Sequence, residues 1–170
     1  MEKIPEKVVN YNVYNEEGKI VGLAGEITLP NLEFMTETIS GAGIMGEYES
    51  PTPGHTGSIN VELTWRTIYD KSFKLQNPAG TTLTFRASQQ HYDPSDGQSF
   101  RPLKITMKGI PKGLDLGKLA VGAPTESKQT FEVMYLKVEE NKKILLEIDK
   151  INFVFIVDGV DVLKDVKSHI

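Results

Sequence analysis

The sequence has 170 residues, of which 39% are hydrophobic and 25% charged, a composition typical of one globular domain with its own core. The net charge is −4 and cysteine is absent, which excludes disulfides, thiol catalysis and cysteine metal sites and argues against a protein that grips nucleic acid, because such binding neutralises phosphates with Lys and Arg. No apolar run approaches the roughly 18–20 residues that cross a bilayer, and the N-terminus lacks the apolar segment of a signal peptide, so we expect synthesis and folding in the cytoplasm.

The first part of the chain predicts a hairpin followed by an irregular segment. Residues 8–14 and 19–29 have strand character and flank the turn sequence Asn15-Glu16-Glu17-Gly18. Residues 40–57 then show no regular period, although they include the apolar, glycine-rich run Gly41-Ala42-Gly43-Ile44-Met45-Gly46 and Tyr48. A long structureless segment is uncommon in a compact domain unless it has a function. We therefore predict an extended, functional loop over residues 40–57.

The clearest strand pattern of the chain covers residues 58–66. Its apolar side chains Ile59, Val61, Leu63 and Trp65 alternate with the polar side chains Asn60, Glu62, Thr64 and Arg66. A period of two is typical of a strand with one buried face. Residues 68–76 are compatible with two turns of helix that end before Pro78.

Two further strands are predicted at residues 83–88 and 103–108, where apolar and polar side chains again alternate. A second irregular segment follows over residues 111–124. It carries four apolar side chains among glycines: Leu114, Leu116, Leu119 and Val121. Such a segment folds back on its own domain or is covered by a neighbouring subunit, and the pattern leaves both possibilities open.

The C-terminal part predicts another hairpin, formed by residues 128–138 and 143–157 around a charged turn at 139–142. The apolar phase slips by one residue after Ile148, so a bulge or bend near Asp149-Lys150 is needed to keep the apolar side on the core. A short helix is expected within residues 160–169. The whole chain, residues 1–170, therefore reads as one mainly antiparallel β domain with one or two short helices.

No group of residues predicts catalysis, a cofactor or a metal. Gly41–Gly46 matches the G-x-G-x-x-G pattern of dinucleotide-binding loops, but no helix is predicted after it, as that chemistry requires. Residues 93–97, Asp-Pro-Ser-Asp-Gly, lack the spacing of a calcium loop and predict a turn. His55, His91 and His169 show no ligand spacing.

The order of several short motifs is more informative. Six of them occur along the chain in this order: Glu26–Leu32, the glycine-rich run 41–46, Met107-Lys108-Gly109, residues 125–128, residues 146–152 and the ending Val157-Asp158-Gly159-Val160-Asp161. In this order they resemble the major tail tube proteins of contractile-tailed phages and of phage-tail-like bacteriocins. The resemblance covers nearly the whole chain and is weakest over residues 49–55 and 68–101.

The resemblance implies an all-β fold, a β-sandwich or incomplete barrel with one or two short helices. It also implies that six copies form a ring with a continuous inner β-barrel, and that stacked rings form a conduit driven forward by contraction of a sheath. Such a subunit would be made in the bacterial cytoplasm and end up in the virion tail or a released tail-like particle. Its implied partners are further copies of itself, the contractile sheath protein, the baseplate and tail terminator proteins, and DNA that passes without specific binding.

On this basis we expect three assembly surfaces. The contact between rings is assigned to Gly41, Ala42, Gly43, Ile44, Met45, Gly46 and Tyr48. A second interface loop is assigned to Leu114, Leu116, Leu119 and Val121, and the lumen face to Asn60, Glu62 and Thr64. The alternatives are a β-sandwich binding module, which would stay monomeric or dimeric with a ligand groove, and a nucleotide-dependent enzyme using the glycine-rich run.

Overall fold

A computed structural model describes residues 2–170. Fourteen short elements follow one another along this part of the chain. They are β1 (Ile4–Asn15), β2 (Gly18–Ile20), β3 (Leu23–Thr28), β4 (Phe34–Ser40), β5 (Glu47–Thr56), β6 (Asn60–Trp65), α1 (Asp70–Lys74), β7 (Thr81–Asp93), β8 (Gly97–Asp115), β9 (Ser127–Glu140), β10 (Lys143–Asp149), β11 (Val154–Val157), β12 (Val160–Asp161) and α2 (Lys164–His169). The fold is all-β with two short helices, as the sequence predicts.

Antiparallel pairing joins ten of the strands into one sheet, and β9 lies at its centre. One edge of β9 pairs with β8 along most of its length. The other edge is divided: residues 127–132 pair with β6, whereas residues 135–140 pair with β10. The sheet therefore branches at β9, with β3 beyond β6 on one branch and β11 and β12 beyond β10 on the other.

The first branch rolls up into an incomplete barrel. Its strands follow the order β3, β6, β9, β8, β7, β1 and β2, and only Val21 and Gly22 separate β2 from β3 in the chain. The Tyr11 hydroxyl of β1 donates a hydrogen bond to the Ala24 carbonyl of β3 at 3.1 Å, which holds the two ends of the roll together.

The main core fills this roll. All four apolar side chains predicted to share one face of the strand at 58–66 are buried. They meet buried side chains from β1, β7, β8 and β9, among them Val13, Phe85, Met107 and Phe131. Trp65 Nε1 donates to Gln129 Oε1 at 2.8 Å, and Gln129 Nε2 donates to the Ser72 carbonyl at 2.7 Å. These bonds satisfy a fully buried amide and tie α1 to the barrel.

Two predicted strands are interrupted, each for a local reason. Residues 19–29 split at Gly22, which has a φ of +93° and turns the chain from β1 toward β6. Residues 143–157 do not bend at Asp149 but reverse there, so that β10 and β11 form a tight hairpin. The Asp149 carboxylate accepts hydrogen bonds from the Ile151 and Asn152 amides and stabilises the reversal.

Of the two segments predicted to be irregular, residues 40–57 are largely strand, so that part of the prediction is wrong, whereas residues 116–124 of the second segment lie outside the strands and helices. Residues 47–56 form β5, which pairs with β4. Residues 111–115 belong to β8 and pair with β9, beyond Gly109, which pairs with Thr81, the first residue of β7. Pro51 and Pro111 are tolerated because each lies where a strand has a free edge, so the missing N–H interrupts no ladder on that side.

Candidate assembly surfaces

β4 and β5 form a two-stranded hairpin separate from the main sheet, and we call residues 34–56 the arm. Its turn, residues 41–46, is the glycine-rich run. Gly43 and Gly46 both have a φ of +87°, a conformation that favours glycine. The sequence predicted an extended loop over residues 40–57. The structure instead has most of a β-hairpin there, with an irregular turn at residues 41–46.

The base of the arm packs on a second, smaller core. This core contains Ile148 of β10, Phe155 of β11 and Leu163. The ring of Phe34 lies edge-on to Phe155 with centroids 5.5 Å apart. A Cβ atom at Gly54 would come within 2.9 Å of Leu163, so the close packing of the base depends on that glycine. The arm is therefore fixed at its base.

The far half of the arm is exposed and carries only negative charge. Met45 is fully exposed, and Ile44 and Tyr48 are about half exposed. No Lys or Arg occurs between Lys19 and Arg66 in the sequence, whereas the arm and the residue before it contain Glu33, Glu37, Glu47 and Glu49. The residues assigned to the ring contact thus form an apolar turn flanked by carboxylates.

The same geometry argues against the nucleotide-binding alternative. A dinucleotide loop needs a strand before the glycines and a helix after them, because the helix amides face the pyrophosphate. Here the glycines connect two antiparallel strands. Inside this turn the Ile44 amide donates a hydrogen bond to the Gly41 carbonyl at 3.2 Å, an ordinary turn bond.

The second assigned surface divides into a strand residue and a loop. Leu114 lies in β8 opposite Gln129. Leu116, Leu119 and Val121 lie in the following loop, residues 116–126, and the last two are fully exposed. We call this segment the 116–126 loop.

Hydrogen bonds at its base hold the 116–126 loop in place. The Lys118 amide donates to the Thr125 carbonyl at 3.1 Å, and the Thr125 amide donates to the Arg66 carbonyl at 2.8 Å. Thr125 Oγ1 also accepts from the Ile68 amide at 3.1 Å. A side chain at Gly117 would collide with the Thr125 carbonyl. The loop is thus anchored next to α1.

The arm and the 116–126 loop lie at opposite ends of β6. The arm leaves the barrel between the end of β3 and the start of β6, near Asn60. The loop attaches at Arg66, directly after the last residue of β6. The two positions are six residues apart along the strand, about 20 Å at the usual rise per residue.

The proposed lumen residues Asn60, Glu62 and Thr64 share the face of β6 that points away from the core, since their neighbours in the strand are all buried. Glu62 is paired with Lys128 of β9 at 3.4 Å. This face is therefore polar, but its acidic charge is partly compensated.

A larger polar face, which sequence reasoning did not assign to any surface, runs across β7, β8, β9 and β10. Thr84, Thr106, Lys137 and Glu147 lie side by side in register and alternate with buried apolar residues. Glu139 pairs with Lys104 at 3.8 Å and with Lys137 at 3.4 Å. The alternation of polar and apolar residues in the sequence predicts that these side chains point outward. It does not distinguish an outward face that contacts a partner from one that faces solvent.

Burial and a hydrogen bond alter one titrating group on this face. The Tyr135 hydroxyl donates to Glu147 Oε1 at 2.9 Å. Burial raises the pKa of Tyr135, and the bond to the carboxylate raises it further, to about 12. The tyrosine therefore stays a neutral donor at physiological pH.

Glu132 is the most connected carboxylate of the barrel surface. It accepts hydrogen bonds from the Ser58 hydroxyl and the Ile59 amide, and it pairs with Lys112 at 3.1 Å and Lys150 at 3.5 Å. Burial acts to raise the pKa of Glu132, but the hydrogen bonds from Ser58, Lys112 and Ile59 outweigh it and lower the pKa to about 2. This cluster ties the start of β6 to β8 and to the turn after β10.

The roll leaves an open seam between β1 and β3. β1 pairs with β2 only through residues 13–15, and β3 pairs only with β6. An apolar cavity of about 410 Å³ lies in this seam, with Val8, Tyr11, Ile27 and Phe85 among its lining residues. Each side of the seam therefore carries backbone groups that a further strand can bind.

Over residues 2–170, no three or more His, Asp or Glu side chains are arranged to hold a metal ion. In the same part of the chain, neither helix has the length and apolar character needed to cross a membrane.

Comparisons with known proteins agree with the motif order. Residues 5–170 match the family model described as phage tail tube protein FII. The chain is similar to the tail tube protein of Escherichia phage P2, with 28% identity over 98% of both chains. It is also similar to the major tail tube protein of Serratia phage KSP20, with 22% identity over 95% of this chain and 93% of the relative.

Proposed function

Because the chain belongs to the phage tail tube protein FII family, whose members are structural proteins and not enzymes, we propose that it polymerises as stacked hexameric rings inside a contractile sheath. In this role the rings form a conduit that sheath contraction drives forward. The observation that carries the proposal is the family match over nearly the whole chain, 5–170.

The open seam supports ring formation. Free edges on β1 and β3 are an aggregation hazard in a lone subunit, and closing a barrel through neighbouring copies removes such edges. In the ring, six copies contribute strands to one continuous inner barrel. A heterologous contact of this kind closes by rotation into a ring.

The arm supports stacking. Its turn, Gly41–Gly46 with Tyr48, exposes apolar side chains that its own chain does not cover. Fully burying one large apolar side chain contributes roughly 1.5–3 kcal/mol. In the tube these residues contact the adjacent ring, and the exposed leucines and valine around the 116–126 loop, together with Leu114, form the second interface.

The lumen is assigned to Asn60, Glu62 and Thr64. A wall without unpaired cations avoids the counterion release that would hold passing DNA. The pairing of Glu62 with Lys128 supports a nearly neutral wall. The polar face of β7–β10 is the competing candidate for the wall, since two of its lysines, Lys104 and Lys137, are paired with Glu139.

Other tail components complete the proposal. The sheath protein surrounds the tube, the baseplate nucleates it and a terminator ends it. The subunit is made in the bacterial cytoplasm and its mature place is the tail of a virion or of a tail-like particle.

The apolar seam cavity is the one observation that favours a different function, a β-sandwich binding module. Its volume of about 410 Å³ lies in the range of small-molecule sites. A binding module would stay monomeric or dimeric and would keep this cavity open to its ligand.

Electron microscopy of the concentrated protein, alone and with its baseplate and sheath, separates the two functions. The tube proposal requires rings or tubes in at least one of these samples. A species that stays monomeric by light scattering, and forms no tube beside the baseplate, would contradict it.

A further inference from the structure

The arm turn and the 116–126 loop each expose large apolar side chains almost fully to solvent next to a fixed base. Met45 in the turn, and Leu119 and Val121 in the loop, are all fully exposed. Both segments are also held in shape, the turn by the β4–β5 ladder and the loop by its bonds to Arg66 and Thr125. Binding between such preformed surfaces loses little conformational entropy.

Their position favours contact between copies and not within one copy. The arm attaches beside Asn60 at one end of β6, whereas the loop attaches beside Arg66 at the other. Two different surfaces attached at opposite ends of β6, if they bind each other, make a heterologous contact that repeats without closing. An arm that bound a second arm would instead join two copies and stop.

Their charges point the same way. The arm carries glutamates and no Lys or Arg, so two arms side by side would place like charges together. The 116–126 loop carries one cation, Lys118, directly before Leu119, and one carboxylate, Glu126, next to its anchor Thr125. Among the ion pairs of residues 2–170, none involves Lys118.

We propose that the arm turn of one copy binds the 116–126 loop of the next copy along the tube. Ile44 and Met45 pack against Leu119 and Val121, and Lys118 faces Glu47. This rests on the proposed tube function and names the acceptor of the arm. It makes the junction between rings directional, because every copy offers an arm at one end and a loop at the other.

Since the chain contains no cysteine, a pair of introduced thiols tests this contact directly. Tubes assembled from the double variant Met45→Cys and Leu119→Cys are treated with a short bismaleimide reagent. We expect a ladder of covalent dimers, trimers and longer chains on denaturing gels, because each copy contributes both halves of the junction.

The control pairs Met45→Cys with Ile151→Cys. Ile151 is also highly exposed but lies in the turn between β10 and β11. It should give no ladder. Tubes that form normally yet crosslink no better through Leu119 than through Ile151 would overturn the inference while leaving the tube function intact. Dimers from Met45→Cys alone would overturn it in favour of arm-to-arm contact.

Charge reversal provides a second measurement. Lys118→Glu should raise the protein concentration needed for tube growth roughly tenfold, the size expected for a like-charge contact at an interface. Adding Glu47→Lys should restore growth, because it recreates an opposite pair. If the concentration that the double variant needs for tube growth is raised by the sum of the two separate effects, expressed as free energies, Lys118 does not face Glu47. Failure of the unmodified protein to form tubes with its baseplate would contradict the tube function itself.

Discussion

The barrel end around Trp65 and the far half of the arm differ in what completes them. At Trp65 every polar partner comes from the same chain, through Gln129 and Ser72. In the arm, the ladder between β4 and β5 is complete, but the side chains of Ile44, Met45 and Tyr48 face solvent and all the charges have one sign. One region is completed by contacts within a single chain, and the other exposes apolar side chains and carboxylates that a partner surface would contact. Substitutions in the two regions should therefore separate folding from assembly.

The largest loss of stability is expected in the barrel core. Phe131 of β9 is fully buried, and Phe131→Ala should lower the free energy of unfolding by about 3–5 kcal/mol, because it removes buried area and leaves a cavity. Urea denaturation measures this loss. Met45→Ala is the exposed control and should stay within about 0.5 kcal/mol of the parent protein. Equal losses for the two variants would contradict the division between barrel and arm.

An intermediate loss is expected at the Glu132 cluster. Glu132→Gln removes the charge that Lys112 and Lys150 share, and it should cost roughly 1–3 kcal/mol at neutral pH. Because the folded pKa of about 2 lies below the ordinary value of 4.5, this contribution is complete above pH 4.5 and is lost as the pH falls toward 2.

Unfolding free energies measured between neutral pH and pH 3 check the sign of this effect. The difference between the parent protein and Glu132→Gln should shrink as the pH falls. A difference that grows in acid would show that Glu132 does not act through its charge.

The smallest loss of stability, with the largest loss of assembly, is expected in the arm. Replacing both Ile44 and Met45 with Asp should leave the monomer within about 0.5 kcal/mol of the parent, since both side chains are already exposed. The same change should block tube growth, because two more carboxylates would enter an apolar contact. Tubes of normal length in electron micrographs of this variant would contradict the assignment of the arm to the contact between rings.

The strands of the barrel could be predicted from the sequence because each has one buried face. The alternation in residues 58–66 correctly identified four core side chains, three in β6 and one, Ile59, directly before it. The arm escaped prediction for the opposite reason: an exposed two-stranded hairpin has no buried face and therefore no period of two. Pro51, Pro53 and Gly54 also suggested a loop, although they lie in the irregular half of β5, between its pairs at Pro51 and Thr56.

Reversals of the chain were harder to locate than strands. The phase slip after Ile148 correctly marked a disturbance, but a bulge and a full reversal produce the same slip in the sequence. The chain reverses here because the backbone amide and the side-chain amide of Asn152 donate hydrogen bonds to the Asp149 carboxylate. These bonds could not be inferred from the sequence pattern. The position of the lumen face also stays a prediction. Every outward strand face of one subunit shows the same alternation of polar and apolar residues, so the pattern alone does not identify the face that lines the lumen.

The absence of Lys and Arg from residues 20–65 has a consequence for digestion by proteases. Trypsin cleaves after Lys and Arg, so it has no site anywhere in the arm, although the far half of the arm is exposed. A glutamate-specific protease, by contrast, has sites at Glu37, Glu47 and Glu49, on both sides of the turn. The arm is thus resistant to trypsin and susceptible to the glutamate-specific protease. The rate of cleavage by the second enzyme would therefore measure how much of the arm is covered at each stage of tube growth.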